Sequence, residues 1–269
     1  MYPHISIGSL QVSSFSATML LAFLVATWLG VRQARFLRVD ADIVLRLLPW
    51  AAAAGLAGAQ LYSVIGGVLH GQTDIAALWS RRGQVFYGGL IAGTLMTMWR
   101  FRRTGLPQHI LFDYGAPCVA IGHAIGRIGC FLVGDDYGMP TTLPWGVAFP
   151  LGAPPSTAGY LRSMGVSIDS SVLPSTVMAV HPVQLYEATV LGVLGAVLWR
   201  ATRRPHRPYT VFAVYAMTYG AWRLGIEWLR PKDDHLPIGI TSAQLVSLAL
   251  LALGAFIFMR RSSTATPTT

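Results

Sequence analysis

SSFSATMLLAFLVATWLGVRQ, residues 13–33, carries no charge before Arg32 and is followed by two further arginines, Arg35 and Arg38. The hydrocarbon core of a bilayer is about 30 Å thick and requires about 20 mostly apolar residues per helix. The stretch therefore predicts a membrane-spanning helix. It lacks the basic start and the small-residue cleavage site of a signal peptide, so we expect it to be retained.

The composition of the whole chain agrees with this interpretation. Of 269 residues, 53% are hydrophobic and 12% are charged, about half of the ~25% charged fraction usual in soluble domains. The formal net charge is +9, but the basic residues form short clusters between apolar runs instead of one polar face. This distribution argues against nucleic acid as a partner and indicates contact with anionic membrane lipids.

The sequence contains seven apolar runs of suitable length, near 13–33, 43–68, 84–100, 109–128, 183–201, 208–228 and 241–259. They predict an all-α integral membrane protein of about seven transmembrane helices. We expect a single polytopic membrane domain over residues 1–260. An ordered excursion at about 129–182 would interrupt it, and residues 261–269 would form a short cytoplasmic tail.

Arginine clusters alternate between the loops that join these runs. One set of loops carries twelve arginines: Arg32, Arg35, Arg38, Arg100, Arg102, Arg103, Arg200, Arg203, Arg204, Arg207, Arg260 and Arg261. The opposite loops hold only Arg81, Arg82, Arg162, Arg230 and Lys232. Because positive residues accumulate on the cytoplasmic side, we expect an inner-membrane protein with the N-terminus outside and the C-terminus in the cytoplasm. The excursion then lies outside, on the periplasmic side of such a membrane.

Three stretches place polar residues where a membrane protein normally avoids them: GRIGCFLVGDDYG (126–138), HPVQLYE (181–187) and YGAWRLGIEWLR (219–230). An ionisable residue inside the apolar region costs about 2.5–3.5 kcal/mol on insertion scales, so it normally faces a partner or a wet cavity. The only two glutamates of the chain, Glu187 and Glu227, lie in these stretches. The stretches therefore mark the candidate site, towards the periplasmic ends of the helices.

Helical spacing groups the polar residues of two runs. Residues 219, 223, 227 and 230 are spaced by four, four and three, which places Tyr219, Arg223, Glu227 and Arg230 on one helix face. His123 and Arg127 share the same four-residue spacing on another helix. Glycines at 122, 126 and 129 would let a neighbouring backbone or a ligand approach that helix closely.

Two interpretations of the arginines remain open. Glu187 and Glu227 could simply neutralise Arg127 and Arg223 and lock the bundle. Alternatively, the two guanidiniums could converge on a phosphate, because arginine offers a planar fork that matches phosphate oxygens and stays charged when partly buried. Both can hold at once.

Other candidate residues carry weaker signals. His181 precedes Pro182 and could cap the helix that starts there, and Gly88 and Gly89 are typical of close helix packing. Cys118 and Cys130 would lie too far apart on one helix for a disulfide. The histidines show no metal-ligand spacing with cysteines or carboxylates, so we expect neither a metal nor a cofactor.

Taken together, the stretches resemble the prolipoprotein diacylglyceryl transferase family of bacterial inner-membrane enzymes. GRIGCFLVGDDYG is similar to its signature, roughly GRxGNFxNxExxG, and HPVQLYE and YGAWRLGIEWLR follow in the family's order. The resemblance implies transfer of a diacylglyceryl group from phosphatidylglycerol to the lipobox cysteine of a prolipoprotein, forming a thioether and releasing glycerol 1-phosphate. Expected partners are phosphatidylglycerol, the prolipoprotein signal peptide and membrane lipids.

The resemblance also assigns roles to residues. It implies catalytic roles for Arg127, Arg223, Tyr219 and His181, with the two arginines holding the phosphate. It implies that the substrate-binding surface is formed by Tyr87, Gly88, Gly89, His123, Gly126, Gly129, Cys130, Asp135, Gly138, Gln184, Tyr186, Glu187, Glu227 and Arg230.

The sequence departs from the family pattern at four positions. Tyr87 stands where members usually have histidine, Cys130 and Val133 replace two asparagines, and Asp135 replaces a glutamate. The family's usual base is therefore absent at 87. Three alternatives stay open: His123 replaces that base, the reaction needs no side-chain base, or Cys130 itself takes up the lipid group.

These departures leave other functions open. The chain could be a non-catalytic paralogue that binds anionic phospholipid or lipoprotein precursors. A small transporter is a weaker alternative, because no internal repeat is visible in the sequence.

Overall fold

The computed structural model describes residues 4–7, 10–69, 86–231 and 239–262. In this part of the chain, the helices are α1 (Ser14–Phe36), α2 (Asp42–Leu69), α3 (Phe86–Arg102), α4 (Gln108–Val133), α5 (Ala158–Ser163), α6 (Val183–Ala201), α7 (Thr210–Glu227) and α8 (Ser242–Ser262). Two antiparallel hairpins are formed by β1 (His4–Ile7) with β2 (Leu10–Ser13), and by β3 (Val147–Ala148) with β4 (Ala179–Val180).

Each of the seven predicted runs coincides with one long helix, so the helical class of the fold is confirmed. Among the described residues, four helices are long and apolar enough to cross a membrane: Ser14–Phe36, Asp42–Val68, Gln108–Val133 and Ser242–Arg260. The shorter helices α3, α6 and α7 have 17, 19 and 18 residues. The number of transmembrane spans stays a prediction.

The chain divides into two compact units, residues 27–112 and residues 1–26 with 113–269. In the first of these units, α2 and α3 pack backbone to backbone. A Cβ atom added at Gly88 would lie 2.5 Å from the carbonyl oxygen of Gly58, and one at Gly89 would lie 3.0 Å from that of Gly55. The close packing predicted for Gly88 and Gly89 is therefore confirmed.

In the second unit, α4, α6 and α7 share an apolar core. Small residues on α4, Ala116, Ala120 and Ala124, lie against the buried leucines of α6. The aromatic rings of Tyr215 and Tyr219 on α7 stack with centroids 5.9 Å apart and pack against the same core. This packing carries the polar face of α7 towards α4 and α6.

Asp113 explains how an acidic residue is accommodated within an apolar run. Its side chain is fully buried and accepts hydrogen bonds from the backbone N–H groups of Tyr209 at 2.5 Å and Phe212 at 2.9 Å. These N–H groups belong to the start of α7, where helical donors lack partners and an anion is favoured. Asp113 therefore ties the start of α7 to α4.

The end of α4 differs from the sequence prediction. We expected the fourth run to end at 128 and the excursion to begin at 129, but the helix continues to Val133. Gly129 does not interrupt it, because its missing side chain makes room for Thr18 of α1. Gly134, the next residue, caps the helix: its φ is 74°, in the left-handed region, and its N–H donates to the Cys130 carbonyl.

The segment between α4 and α6 has a small core of its own. Phe149, Leu161 and Val180 are fully buried there beside Tyr137 and Val166. A buried hydroxyl closes the segment on itself: Ser156 accepts from the Phe149 N–H at 2.9 Å and donates to the Met178 carbonyl at 2.8 Å. The segment therefore has its own buried residues and its own internal hydrogen bonds.

Candidate functional site

Arg127 lies on α4, six residues before the helix ends, with 9% of its side chain exposed. Its Nη2 is 2.5 Å from Glu187 Oε2 on α6, and its Nη1 donates to Asp136 Oδ2 at 2.8 Å. The Cys130 sulfur lies 3.7 Å from the same Nη1. Two carboxylates therefore hold one guanidinium, which is the arrangement that permits an arginine to be buried.

Glu187 connects three helices. Besides Arg127, it accepts a hydrogen bond from the Tyr219 hydroxyl at 3.0 Å, and His123 Nε2 lies 3.8 Å from its Oε1. The imidazole of His123 also meets the Tyr219 ring edge-on at 5.5 Å. The charge of Glu187 acts on both Arg127 and Arg223. The two arginines therefore lie within electrostatic reach of one carboxylate.

The polar face predicted for α7 is present. Arg223 Nη1 donates to Glu227 Oε2 at 2.7 Å, and Arg230 Nε lies 3.9 Å from the same oxygen. The other oxygen of Glu227 accepts from the Thr241 hydroxyl at 2.9 Å, just before α8 begins. Glu227 is thus buried with all of its charge compensated.

Asp136 closes the network. It follows the end of α4, and its carboxylate bridges Arg127 and Arg230. Burial alone would raise the pKa of this carboxyl, but the charges of Arg230 and Arg127 outweigh burial and hold the pKa well below its usual range. The arginine cluster, defined as Arg127, Arg223, Arg230, Asp136, Glu187 and Glu227, balances three positive charges with three negative ones.

Several guanidinium N–H groups of the arginine cluster make no hydrogen bond to its carboxylates. Within the described residues, Arg127 Nε and Arg230 Nε and Nη1 are buried without a hydrogen-bond partner. A buried unsatisfied donor costs about 1–3 kcal/mol, and more when charged. An oxyanion with several acceptor oxygens would satisfy them, so the cluster can accept an anionic group.

His181 and Tyr186 form a separate chain of contacts. The Trp145 indole donates to the Tyr186 hydroxyl at 2.8 Å, and His181 Nδ1 lies 3.4 Å from that hydroxyl. The suggestion that His181 caps α6 is wrong, because Pro182 occupies the cap position and the helix starts at Val183. His181 instead fixes the backbone, since its carbonyl accepts from the Gly138 N–H at 2.9 Å.

Gln184 of α6 contacts the loop that follows α4 at Asp135. The fully buried Gln184 donates to the backbone carbonyl of Asp135 at 2.6 Å. Burial, reinforced by the charge of Asp136, raises the pKa of the Asp135 carboxyl to about 6. This carboxyl can therefore change its charge close to neutral pH, directly beside the arginine cluster.

The raised pKa of Asp135 predicts a pH-dependent stability. Because the folded protein favours the protonated carboxyl, its stabilising contribution is full below the ordinary pKa of 3.8 and is lost as pH rises through about 6. In Asp135→Asn, the thermal midpoint measured in detergent between pH 4 and pH 7 should lose this decline. Asp169→Asn should retain it, and a parallel decline in both variants would contradict the assignment.

Of the glycines predicted near the site, Gly129 and Gly138 lie at close approaches and Gly126 makes only an ordinary contact. A Cβ at Gly126 would lie 3.6 Å from Met19 Sδ, whereas one at Gly129 would collide with Thr18. One at Gly138 would lie 2.7 Å from the Leu229 carbonyl oxygen. Gly88 and Gly89 belong to the unit formed by residues 27–112, and the side chain of Tyr87 lies outside the described residues. Their roles in substrate binding stay predictions.

Sequence reasoning missed Asp136 and Thr241. The family signature drew attention to Asp135, yet Asp136 is the carboxylate that contacts Arg127 and Arg230. The available signal was the pair of adjacent aspartates next to an arginine-bearing helix, of which only one can face the arginines. Thr241 carries no motif, and only its position before α8 brings it to Glu227.

Exposed apolar side chains cover the long helices, including Leu20, Leu24, Leu56 and Leu95. Soluble monomers rarely expose apolar surface on this scale. Together with the charged cluster buried among the helices, this surface defines a mainly helical, multi-pass membrane protein.

Comparison with known proteins identifies the family. The sequence matches the prolipoprotein diacylglyceryl transferase family over residues 3–260, so the chain belongs to that family. It is 33% identical over 272 residues to the phosphatidylglycerol–prolipoprotein diacylglyceryl transferase of Xylella fastidiosa, covering 94% of this chain and 90% of that protein. The enzyme of the same name from Stenotrophomonas maltophilia is 30% identical over 266 residues, covering 95% and 90%. That from Nitratidesulfovibrio vulgaris is 32% identical, covering 94% and 91%.

Proposed function

We propose that this protein transfers a diacylglyceryl group from phosphatidylglycerol to the lipobox cysteine of a prolipoprotein. The thiol sulfur attacks the diacylglycerol carbon that carries the phosphate ester, and a C–S bond forms as the C–O bond breaks. Glycerol 1-phosphate leaves with the oxygen, and the thiol proton passes to solvent or to a base. The names of the similar enzymes favour this reaction over a non-catalytic binding role.

The observation that carries the proposal is the arginine cluster: Glu187 holds Arg127, Glu227 holds Arg223, and buried donors of Arg127 and Arg230 are still available. In this proposal, Arg127 and Arg223 bind the phosphodiester of the lipid. They neutralise the charge that develops on the departing phosphate, and they favour the incoming thiolate over the thiol. Arg230 contributes further donors to the same anion.

The remaining residues orient these groups. Glu187 orients the Arg127 guanidinium by an ion pair and accepts a hydrogen bond from the Tyr219 hydroxyl. Glu227 orients the Arg223 guanidinium in the same way. The chain from Trp145 through Tyr186 to His181 supports the loop that follows α4, and Gln184 holds the Asp135 backbone. We assign no general base, because a thiolate stabilised by the arginines can attack without one.

The proposed topology follows from the charge pattern. Seven helices would cross the bacterial inner membrane as one domain over residues 1–260, with the N-terminus in the periplasm. The excursion at about 129–182 and the arginine cluster then face the periplasm, where the signal peptides of exported prolipoproteins emerge. Residues 261–269 would form the cytoplasmic tail.

Reporter fusions test this topology. Alkaline phosphatase, which is active only in the periplasm, should be active when fused within residues 163–175 and inactive when fused after Arg207 or Arg261. A cytoplasmic fluorescent reporter should give the opposite pattern. Activity of the phosphatase after Arg207 would show that the helix count or the orientation is wrong.

The reaction itself is tested in vitro with the purified protein, phosphatidylglycerol vesicles and a synthetic lipobox peptide. The expected result is release of glycerol phosphate in proportion to a diacylglyceryl mass increase on the peptide cysteine. A peptide with serine in place of that cysteine should give neither signal. Binding of phosphatidylglycerol without either product would favour the non-catalytic alternative.

A further inference from the structure

Asp136 differs from the other two carboxylates of the arginine cluster. Its side chain is 42% exposed, whereas those of Glu187 and Glu227 are each 2% exposed. Glu187 and Glu227 are carried by the helices α6 and α7, but Asp136 lies on the loop after α4. Of the three, it is the carboxylate that can move away without disturbing a helix.

The backbone of Asp136 is held in an unusual conformation. Its φ is 58°, in the left-handed region that non-glycine residues enter mainly as asparagine or aspartate. The backbone on both sides is anchored, since Gln184 binds the Asp135 carbonyl and the Gly138 N–H binds the His181 carbonyl. The loop therefore fixes the backbone of Asp136, so that only its half-exposed side chain has to turn for the carboxylate to leave Arg127 and Arg230.

Charge balance sets a condition for lipid binding. Asp136 is ionised at neutral pH, because the charges of Arg230 and Arg127 hold its pKa below the usual range. The six residues of the cluster then carry no net charge, and the Asp135 carboxyl beside them is protonated mainly below about pH 6. Adding a phosphodiester to the cluster would therefore leave excess negative charge in a buried site. Withdrawal of the Asp136 carboxylate leaves one excess positive charge, which matches one phosphodiester.

We propose that Asp136 is a displaceable carboxylate: it holds the Arg127 and Arg230 side of the anion site, and oxygens of the phosphate of an anionic phospholipid take its place on binding, while the same phosphate faces Arg223. The inference deepens the proposed function and rests on it. Asp136 falls at a variable position of the family signature as written above.

Displacement has a measurable consequence for affinity. A carboxylate that holds the position about 90% of the time lowers the apparent affinity for a competing anion about tenfold. Asp136→Asn removes the charge but keeps a side chain that suits the left-handed backbone. It should bind phosphatidylglycerol more tightly, whereas a carboxylate that merely braces the arginines would leave the Asn variant with weaker binding.

The experiment measures binding and turnover separately. Isothermal titration of the full-length protein in detergent with dihexanoyl-phosphatidylglycerol gives Kd, and the transfer assay gives KM and kcat. We expect both Kd and KM of Asp136→Asn to fall about tenfold, with kcat changed less than KM. Asp136→Gly, which also suits the positive φ, should shift Kd in the same direction.

Asp169→Asn is the matched control, because it removes one charge from an exposed aspartate of the same excursion. Its Kd should equal that of the unaltered protein. An unchanged or higher Kd in both Asp136 variants, with normal thermal midpoints, would overturn the displacement. Tighter binding without any turnover in the unaltered protein would uphold displacement and contradict the transferase. Turnover by the unaltered protein together with weaker binding in the Asp136 variants would support the transferase and contradict the displacement.

Discussion

Arg127→Ala is expected to reduce glycerol phosphate release by about 10²–10³-fold, the usual effect of removing one donor that stabilises developing negative charge. The substitution also leaves Glu187 and Asp136 without the guanidinium that both contact. Arg127→Lys should remain strongly impaired, because an ammonium is a point charge and cannot offer a planar fork to two oxygens. Initial rates at saturating peptide measure both variants.

The comparison requires a matched arginine and a folding control. Arg46 has a 70% exposed side chain in loose pairs with Asp40 and Asp42, so Arg46→Ala should retain normal turnover. The thermal midpoint of Arg127→Ala in detergent separates loss of chemistry from loss of fold. Normal turnover by a folded Arg127→Ala protein would remove this residue from the catalytic site.

Gly138→Ala is expected to be strongly damaging although it adds only one methyl group. The added Cβ would lie 2.7 Å from the Leu229 carbonyl oxygen and 2.8 Å from both His181 Cβ and Val183 Cγ1. Overpacking of this kind costs about 1–3 kcal/mol. Because Gly138 joins the loop of Asp136 to α6 and α7, a shift there also displaces the arginine cluster. The thermal midpoint and turnover should therefore fall together.

A glycine in open surroundings provides the contrast. A Cβ at Gly115 of α4 meets nothing within 4 Å, so Gly115→Ala should be neutral or stabilise the helix by up to about 1 kcal/mol. Both variants can be measured in the same detergent. Equal midpoints for the two would show that the close packing around Gly138 is not sensitive to one methyl group.

Much of the fold could be predicted because each helix carries a local signal. Apolar runs bounded by arginines located the long helices, and four-residue spacing placed Arg223 and Glu227 on one face. The pairing of Arg127 with Glu187 was also one of the two predicted interpretations, since the chain has few buried acids to offer. These features depend on composition and periodicity alone.

The remainder depends on contacts between distant segments. The spacing of Gly129 predicted a close approach to its helix, but not that the approaching residue is Thr18 of another helix. The choice of Asp136 over Asp135 depends on a left-handed backbone after Gly134, which the residue types permit without requiring. Likewise, Thr241 reaches Glu227 only because α7 and α8 pack closely, with Gly220 and Gly254 at their interface.

The position of the lipid phosphate tests the central claim most directly. Electron cryo-microscopy of the protein in nanodiscs, with a non-cleavable phosphonate analogue of phosphatidylglycerol, would locate it. We predict phosphate oxygens within about 4 Å of the guanidinium nitrogens of both Arg127 and Arg223, the distance of an ion pair. A phosphate bound elsewhere, with both arginines still engaged only by their carboxylates, would contradict the account.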